Sequence, residues 1–318
     1  MATARRSSSS YGSFADGVII RGMPLLTLYP GNVYWVDSNG GGGSRGTFSN
    51  PVTTLEAAHA LVKSDNGDII CIKPGHAETY TSTVDFSKSG FAIVGLGFGD
   101  NRPSFTCGVT AAGDDMFDFA GDDVVVYNLK WIDANPAGSA AVVFNVSGDN
   151  FHIENCHIEL GGITTTFLTH DTTGKSGLTV VNNTIEGMEA GPDVGIRVET
   201  THINAYIAGN RWLLNKSVGI DSGVVVFVSG TGGGSHIIEN DICLGLSTEN
   251  VYLLQTDVQE FSLMHNVRTV GTDATLNMGA SPANGFAFID CYATEEGKGV
   301  PGIADHAGAR PINTTPAS

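Results

Sequence analysis

The chain has 318 residues, 42 of them Gly, only 15% charged residues and a net charge of −17. That charge repels phosphate and argues against nucleic acid as a general partner, being equally that of a solvated surface, and no apolar run approaches the roughly 20 residues of a membrane-spanning helix. Abundant Gly with few helix-favouring blocks predicts many short strands joined by tight turns.

Residues 1–32 form an N-terminal arm distinct from the rest of the chain. Met1 to Tyr11 is Ser-rich with an Arg5-Arg6 pair, a composition that does not fold alone. Three of the sixteen Lys and Arg residues, Arg5, Arg6 and Arg21, lie in the first 21 positions with a single acid, Asp16, so the arm is locally basic on an acidic protein. Its apolar positions, Phe14, Val18, Ile19, Ile20, Leu25, Leu26 and Leu28, have little use in a solvated tail. They suit a segment that docks on a partner. The N-terminus has no apolar segment after its Arg pair, which predicts a protein made in the cytoplasm without a cleaved secretory signal.

Val33 to Asp37 predicts a strand, and Ser38 to Ser49 a Gly-rich loop. A helix is expected from Pro51 to Lys63, with Thr53 or Thr54 as its cap, Glu56 in its first turn and Leu55, Ala58, His59 and Val62 on one face. Asn66-Gly67 stops it, and Asp68 to Gly75 predicts a buried strand ending in a turn. Such a helix suits the open apolar end of a stacked array of strands.

A phrase then recurs: apolar alternation, a polar corner, apolar again. It is clearest at Leu178-Thr-Val-Val-Asn-Asn-Thr-Ile185, and it returns at Phe91, Val124, Phe151, Ala205, His236, Leu263 and Phe286. Counted between Asn128, Asn155, Asn183, Asn210, Asn240 and Asn266, the steps are 27, 28, 27, 30 and 26 residues. A fixed period of this size on strands predicts a solenoid. Alternation predicts Phe151, Ile153 and Asn155 inward, with His152 and Glu154 outward. An inward Asn at each corner would bond the backbone and the Asn of the next coil, and eight coils would make a rod about 40 Å long.

Val33 to Asp37, Phe48-Ser-Asn-Pro51, Thr54-Leu-Glu-Ala-Ala58 and Gly67 to Gly75 resemble the opening of right-handed parallel β-helix proteins, the pectate-lyase-like families and phage proteins built on that fold. The Asn-bearing coils look like the same families, so the resemblance covers residues 33–295. What it implies is an all-β, single-stranded parallel β-helix, helix-capped at its N-terminal end, with a tail from 296 to 318. An arm joined to a short β-helix is similar to tailed-phage proteins that decorate or cement the capsid. The implied function is a non-enzymatic virion protein on the outer capsid surface. Its expected partners are the major capsid protein, gripped by Arg5, Arg6, Phe14, Val18, Ile19, Ile20, Arg21, Leu25 and Leu26, and two further copies of itself, with no nucleic acid, membrane, cofactor or metal. Trp212 and Leu214, taken as outward apolar positions, would be covered in a cyclic trimer. The alternative is a tail-spike-like protein that binds or cleaves glycans.

For that alternative the candidate catalytic acids are Asp115, Asp122, Asp123 and Asp133, since paired carboxylates serve glycoside hydrolysis and hard oxygens hold Ca²⁺. The competing reading places Asp114-Asp115 and Asp122-Asp123 at corners beside Gly113 and Gly121, where Asp serves turns. Polygalacturonase-like enzymes carry a Gly-His-Gly and an Arg-x-Lys segment that this chain lacks, Gly75-His76-Ala77 being the nearest approach. Lys130-Trp-Ile-Asp133 resembles a pectate-lyase segment but continues with Ala134. The five Cys read as small core residues and the nine His show no metal spacing.

Overall fold

The computed structural model describes residues 19–20, 23–24, 31–108, 115–133, 142–160, 166–170, 175–187, 194–198, 204–213, 223–227, 236–243, 250–254, 262–271, 277–280, 286–289 and 292–295. Three parallel sheets of ten, nine and eight strands wind into a parallel β-solenoid. One coil passes through Phe91–Gly95 in the first sheet, Ser104–Cys107 in the second and Phe117–Phe119 in the third, then returns to the first at Val124–Tyr127. Each strand pairs in parallel with its equivalent one coil away, as Val124 with Phe91, Lys130 with Ser104 and Phe144 with Phe117. The eight recurring phrases are eight strands of the first sheet. The other two are Asp68–Ile72 and β3 (Val33–Val36). Among the described residues, no helix is long and apolar enough to cross a membrane.

Alternation places one residue of every pair inside, and the aromatic members stack there. Phe105 lies 4.7 Å from Trp131, and Trp131 lies 4.4 Å from Phe117 and 4.9 Å from Phe144, all measured between ring centres. The run continues through Phe167 to Trp212, whose ring centres are 6.0 Å apart. Trp212 is therefore a core residue, 1% exposed, and not an outward one. Arg211 and Leu213 flank Trp212 on the outer face, so the pleat turns the indole inward. Leu214 lies outside the described residues.

The corner after the first sheet corrects the phase of the Asn pattern. The corner residue itself has positive φ at Asn128, Asn155, Asn182, Gly209, Glu239 and Asn266, at intervals of 27, 27, 27, 30 and 27 residues. Asn and Gly adopt this conformation at low cost. The residue after each corner points inward: Leu129, Cys156, Asn183, Asn210, Asn240 and Val267, all buried. Asn155 is thus a corner residue, while Phe151 and Ile153 are inside and His152 and Glu154 half-exposed. Among the described residues, Asn183, Asn210 and Asn240 form a ladder of inward rungs, all buried. Asn210 Oδ1 accepts from the N–H and Nδ2 of Asn183, and Asn240 Oδ1 accepts from the N–H and Nδ2 of Asn210. The Nδ2 groups of the three also donate to the carbonyls of Ile153, Val180 and Ile207.

The N-terminal end is closed by α1 (Leu55–Leu61), whose Leu55, Ala58 and His59 are buried against the core. It is shorter than the expected 51–63. Val52 is already bridged to Val36, Thr54 Oγ1 caps the helix by accepting from Ala57 N–H, and Val62 is extended. Lys88 Nζ donates to the carbonyls of His59, Ala60 and Val62, satisfying the helix C-terminus. Asp68 is fully buried and accepts from Asn32 N–H, Lys63 N–H and the Nδ2 groups of Asn32 and Asn66. The loop after β3 folds back over the outer face of the first sheet, with Trp35 N–H donating to Gly46 O and Phe48 meeting Trp35 edge-on at 4.9 Å. A second apolar cluster lies on this face, where Trp35 and Cys71 are buried together with Val33, Ile69, Val94 and Tyr127.

Candidate functional site

Asp122 and Asp123 sit at the corner that enters the first sheet. Asp123 is itself the positive-φ residue, and its Oδ1 accepts from Asn150 Nδ2, the equivalent corner one coil on. Asp122 N–H donates to Ser89 Oγ, and Asp122 Oδ1 accepts from Asp149 N–H. In the next coil Asp149 Oδ1 accepts from Ser176 N–H. Lys175 Nζ spans the two carboxylates at 2.8 Å from Asp122 and 3.2 Å from Asp149. That ammonium and the Asp149 N–H hold the Asp122 carboxyl below the usual carboxylate range. These acids carry turn hydrogen bonds between coils, the role that beside Gly121 competed with catalysis.

The other candidates are dispersed. Asp115 is half-buried, with its carbonyl accepting from Thr83 Oγ1. Asp133 pairs through its backbone with Cys107 in the second sheet, and Asp114 lies outside the described residues. His76 is 1% exposed. Its Nδ1 accepts from Ser38 N–H, and its Nε2 lies 3.2 Å from Glu78 Oε2, which also accepts from the Leu55 N–H. This buried clasp ties the loop, α1 and the second sheet together. Of the arm residues, Ile19 and Ile20 form β1 (Ile19–Ile20), antiparallel to β2 (Met23–Pro24), in a two-stranded sheet of its own. Arg5, Arg6, Phe14, Val18, Arg21, Leu25 and Leu26 lie outside the described residues. Cys71, Cys107 and Cys156 are buried, and burial pushes the thiols of Cys71 and Cys156 up to about 12. All three are core residues, and the raised thiols of Cys71 and Cys156 are poor nucleophiles.

Parallel register assembles a different group on the outer face of the second sheet. Ser104, Lys130, His157 and Thr184 are direct neighbours on four successive strands. Two residues along each strand, Glu159 and Glu186 form the adjacent pair. With Gly99, Asp100, Arg102 and Ile132, the row lines a concavity of about 510 Å³. Lys130 Nζ lies 2.6 Å from Glu159 Oε1, while His157 Nε2 is 3.9 Å from the same oxygen and 3.6 Å from Glu186 Oε2. His157, Glu159 and Glu186 have the donor types of a divalent-cation site, with ligand atoms all within 4.8 Å of one another. The Lys130 ammonium already neutralises one of those carboxylates and opposes a second cation beside it.

No motif joins these residues in the sequence: the coils that carry them are separate, and only the register between coils aligns Ser104, Lys130, His157 and Thr184. A search of the outward positions at steps of 26 or 27 residues, from Ser104 through Lys130 and His157 to Thr184, would have exposed the row.

The fold has solved counterparts. A rhamnogalacturonan lyase is 14% identical, with a TM-score of 0.44 over 83% of this chain and 74% of its own. A Geobacillus virus E2 protein, ORF18, is 12% identical with a TM-score of 0.43 over 77% of this chain, and the match spans 54% of ORF18. Pectate lyase Pel9A is 15% identical, with a TM-score of 0.38 over 80% of this chain and 79% of its own. The likeness is one of fold. No family model and no curated protein matches the sequence.

Proposed function

We propose that this protein is a non-enzymatic structural component of a tailed-phage virion, a rod that decorates the outer capsid surface and is held there by residues 1–32. The observation that carries the reading is the use of the acidic doublet. Asp122 and Asp123 are engaged in hydrogen bonds between coils and are not set facing each other across a cleft. Supporting it, β1 and β2 pair only with each other among the described residues, so the arm's one described element belongs to no sheet of the rod. A segment that adds no strand to the rod's sheets suits engagement with another surface. Arg5 and Arg6 would pair with shell carboxylates, and the apolar side chains would contribute more, about 1.5–3 kcal/mol for each one fully buried. Ordering the arm costs about 1–2 kcal/mol per residue, so a single arm binds weakly and a trimer gains by avidity.

The test is to delete residues 2–32 and offer the truncated rod to capsids stripped of the protein. The rod should fold and fail to bind, while the full chain restores full occupancy. Binding by the truncated rod at full occupancy refutes the docking role. Light scattering of the full chain reports the trimer, and a stable monomer at micromolar concentration overturns it. Incubation with polygalacturonate, alginate and host polysaccharides, with and without Ca²⁺, should release no reducing or unsaturated ends. Release that disappears in Asp122→Asn would establish the enzymatic alternative.

A further inference from the structure

With Trp212 turned into the core, self-association needs another surface, and the register between coils supplies one. On the outer face of the first sheet two columns of residues run along the rod, one headed by Val33, Ile69 and Ala92, the other by Trp35, Cys71 and Val94. Both continue coil by coil to Tyr206 and Ala208. Apart from His152, Glu154 and Thr179, every residue in the two columns from Val33 to Ala208 is apolar. Over the same coils the second sheet carries Lys130, His157, Glu159, Glu186 and Arg211 at its outward positions. One outer face of the solenoid is thus composed like a core and its neighbour like a solvated surface. Strands that are apolar on both faces are normally covered on both. The loop after β3 covers the first coils, where Phe48 meets Trp35. Farther along, Val125 is half-buried and Tyr206 is 43% exposed.

We propose that this face is where copies of the chain meet, as parallel rods that turn Val125, Val181 and Tyr206 toward a shared axis. This rests on the trimeric reading and gives it the contact surface that an internal Trp212 cannot provide. Charge selects a second copy as the occupant. The chain has a net charge of −17, yet Glu154 is the one carboxylate in these columns from Val33 to Ala208, and it lies 3.1 Å from His152 Nε2. Two copies can approach here without the repulsion that their acidic surfaces impose elsewhere, whereas a basic partner would find little to hold it. Pitch selects the same occupant. The columns repeat at the strand spacing of about 4.8 Å, which another copy of the solenoid matches coil for coil, so the ridges of one rod fit the gaps of the next. Ten strands make a strip about 43 Å long, the scale of a small specific interface, so association should appear at micromolar concentration.

Light scattering of the full chain across micromolar concentrations, beside Tyr206→Glu and Arg211→Glu, tests this. Both residues are exposed and lie on one coil, Tyr206 on the first sheet and Arg211 on the second. Tyr206→Glu places a carboxylate in the contact and should raise the concentration of half-dissociation by at least about tenfold at unchanged melting temperature. Arg211→Glu should leave it unchanged. As a second readout, should Tyr206→Glu fail to fold, Tyr206→Cys treated with a short thiol crosslinker should give linked pairs of chains, and Arg211→Cys should not. An oligomer that persists in Tyr206→Glu and gives no linked pairs in Tyr206→Cys overturns the face and leaves the trimer standing. A dimer linked through Tyr206→Cys supports the face and overturns the threefold count. A full chain that stays monomeric overturns both. A monomer whose capsid binding is lost in Tyr206→Glu assigns the face to the shell and likewise overturns the proposal.

Discussion

Truncating Asn210 to Ala removes the middle rung of the buried ladder. Its Oδ1 is the acceptor for the Asn183 N–H and for Asn183 Nδ2, and its Nδ2 donates to Val180 O and Asn240 Oδ1. Without the carboxamide, four hydrogen bonds vanish from a site that is 1% exposed. Asn183 Nδ2 keeps Ile153 O, and Asn240 Oδ1 keeps the Asn210 N–H, so their losses are partial. The Asn183 N–H loses its one acceptor in the ladder. With about 1–3 kcal/mol for each buried group left unsatisfied, one full and three partial losses amount to about 2–5 kcal/mol. The internal control is Asn182, the neighbour of Asn183 in sequence. It is exposed with φ 55°, and its side chain makes only a 3.5 Å contact to Glu154 Oε1. Asn182→Gly should therefore change stability by no more than about 0.5 kcal/mol. Urea unfolding followed by the fluorescence of the buried Trp131 and Trp212 measures both variants. A loss below about 1 kcal/mol for Asn210→Ala, or equal losses in the two, refutes the ladder argument.

Single contacts set three further outcomes. Burial between Phe86 and Phe91, and then the Lys88 charge, lower the His59 pKa to about 4. The unfolded chain thus binds the proton more readily, and stability is full above about pH 6.5 and falls as pH drops toward 4, by up to about 1.4 kcal/mol per unit. His59→Leu should flatten that interval in melting temperature against pH. Lys175→Met should weaken the rod near neutrality by under about 1 kcal/mol, since Asp122 is substantially exposed. It should also shrink the loss on acidification through the lowered Asp122 pKa, because the depressed carboxyl stabilises only while ionised. Gly148→Ala drives a Cβ against the Gly121 carbonyl oxygen, so thermal denaturation should show a loss of about 1–3 kcal/mol from overpacking.

The strands were legible because alternation runs through the recurring phrases, and β3 and the Asp68–Ile72 strand stood out by composition alone, while the helix cap was legible only as Thr53 or Thr54. The Asn pattern was legible in period but not in phase. Asn serves two adjacent positions for different reasons, as a corner residue at Asn155 and as an inward rung at Asn210, and Asn182-Asn183 contains both. A count from Asn to Asn mixes the columns and scatters the steps. Trp212 was misplaced because a large indole shortly after a positive-φ corner Gly gives no cue to its face. The concavity was illegible for another reason. Arg102, Lys130 and Glu186 share no motif, and their proximity is a property of register between coils.

The corners set how the rod responds to mechanical load. Each coil holds about 27 residues, which rise about 4.8 Å along the axis when wound and span about 90 Å when drawn out. Tension along the axis acts parallel to the bonds between coils and meets them a few at a time, so a rod pulled from one end peels rung by rung. Shear across the axis loads a whole sheet at once. Such a rod is compliant and self-limiting in tension, since each released coil adds slack nearly twenty times its own height, and stiff against sideways flow.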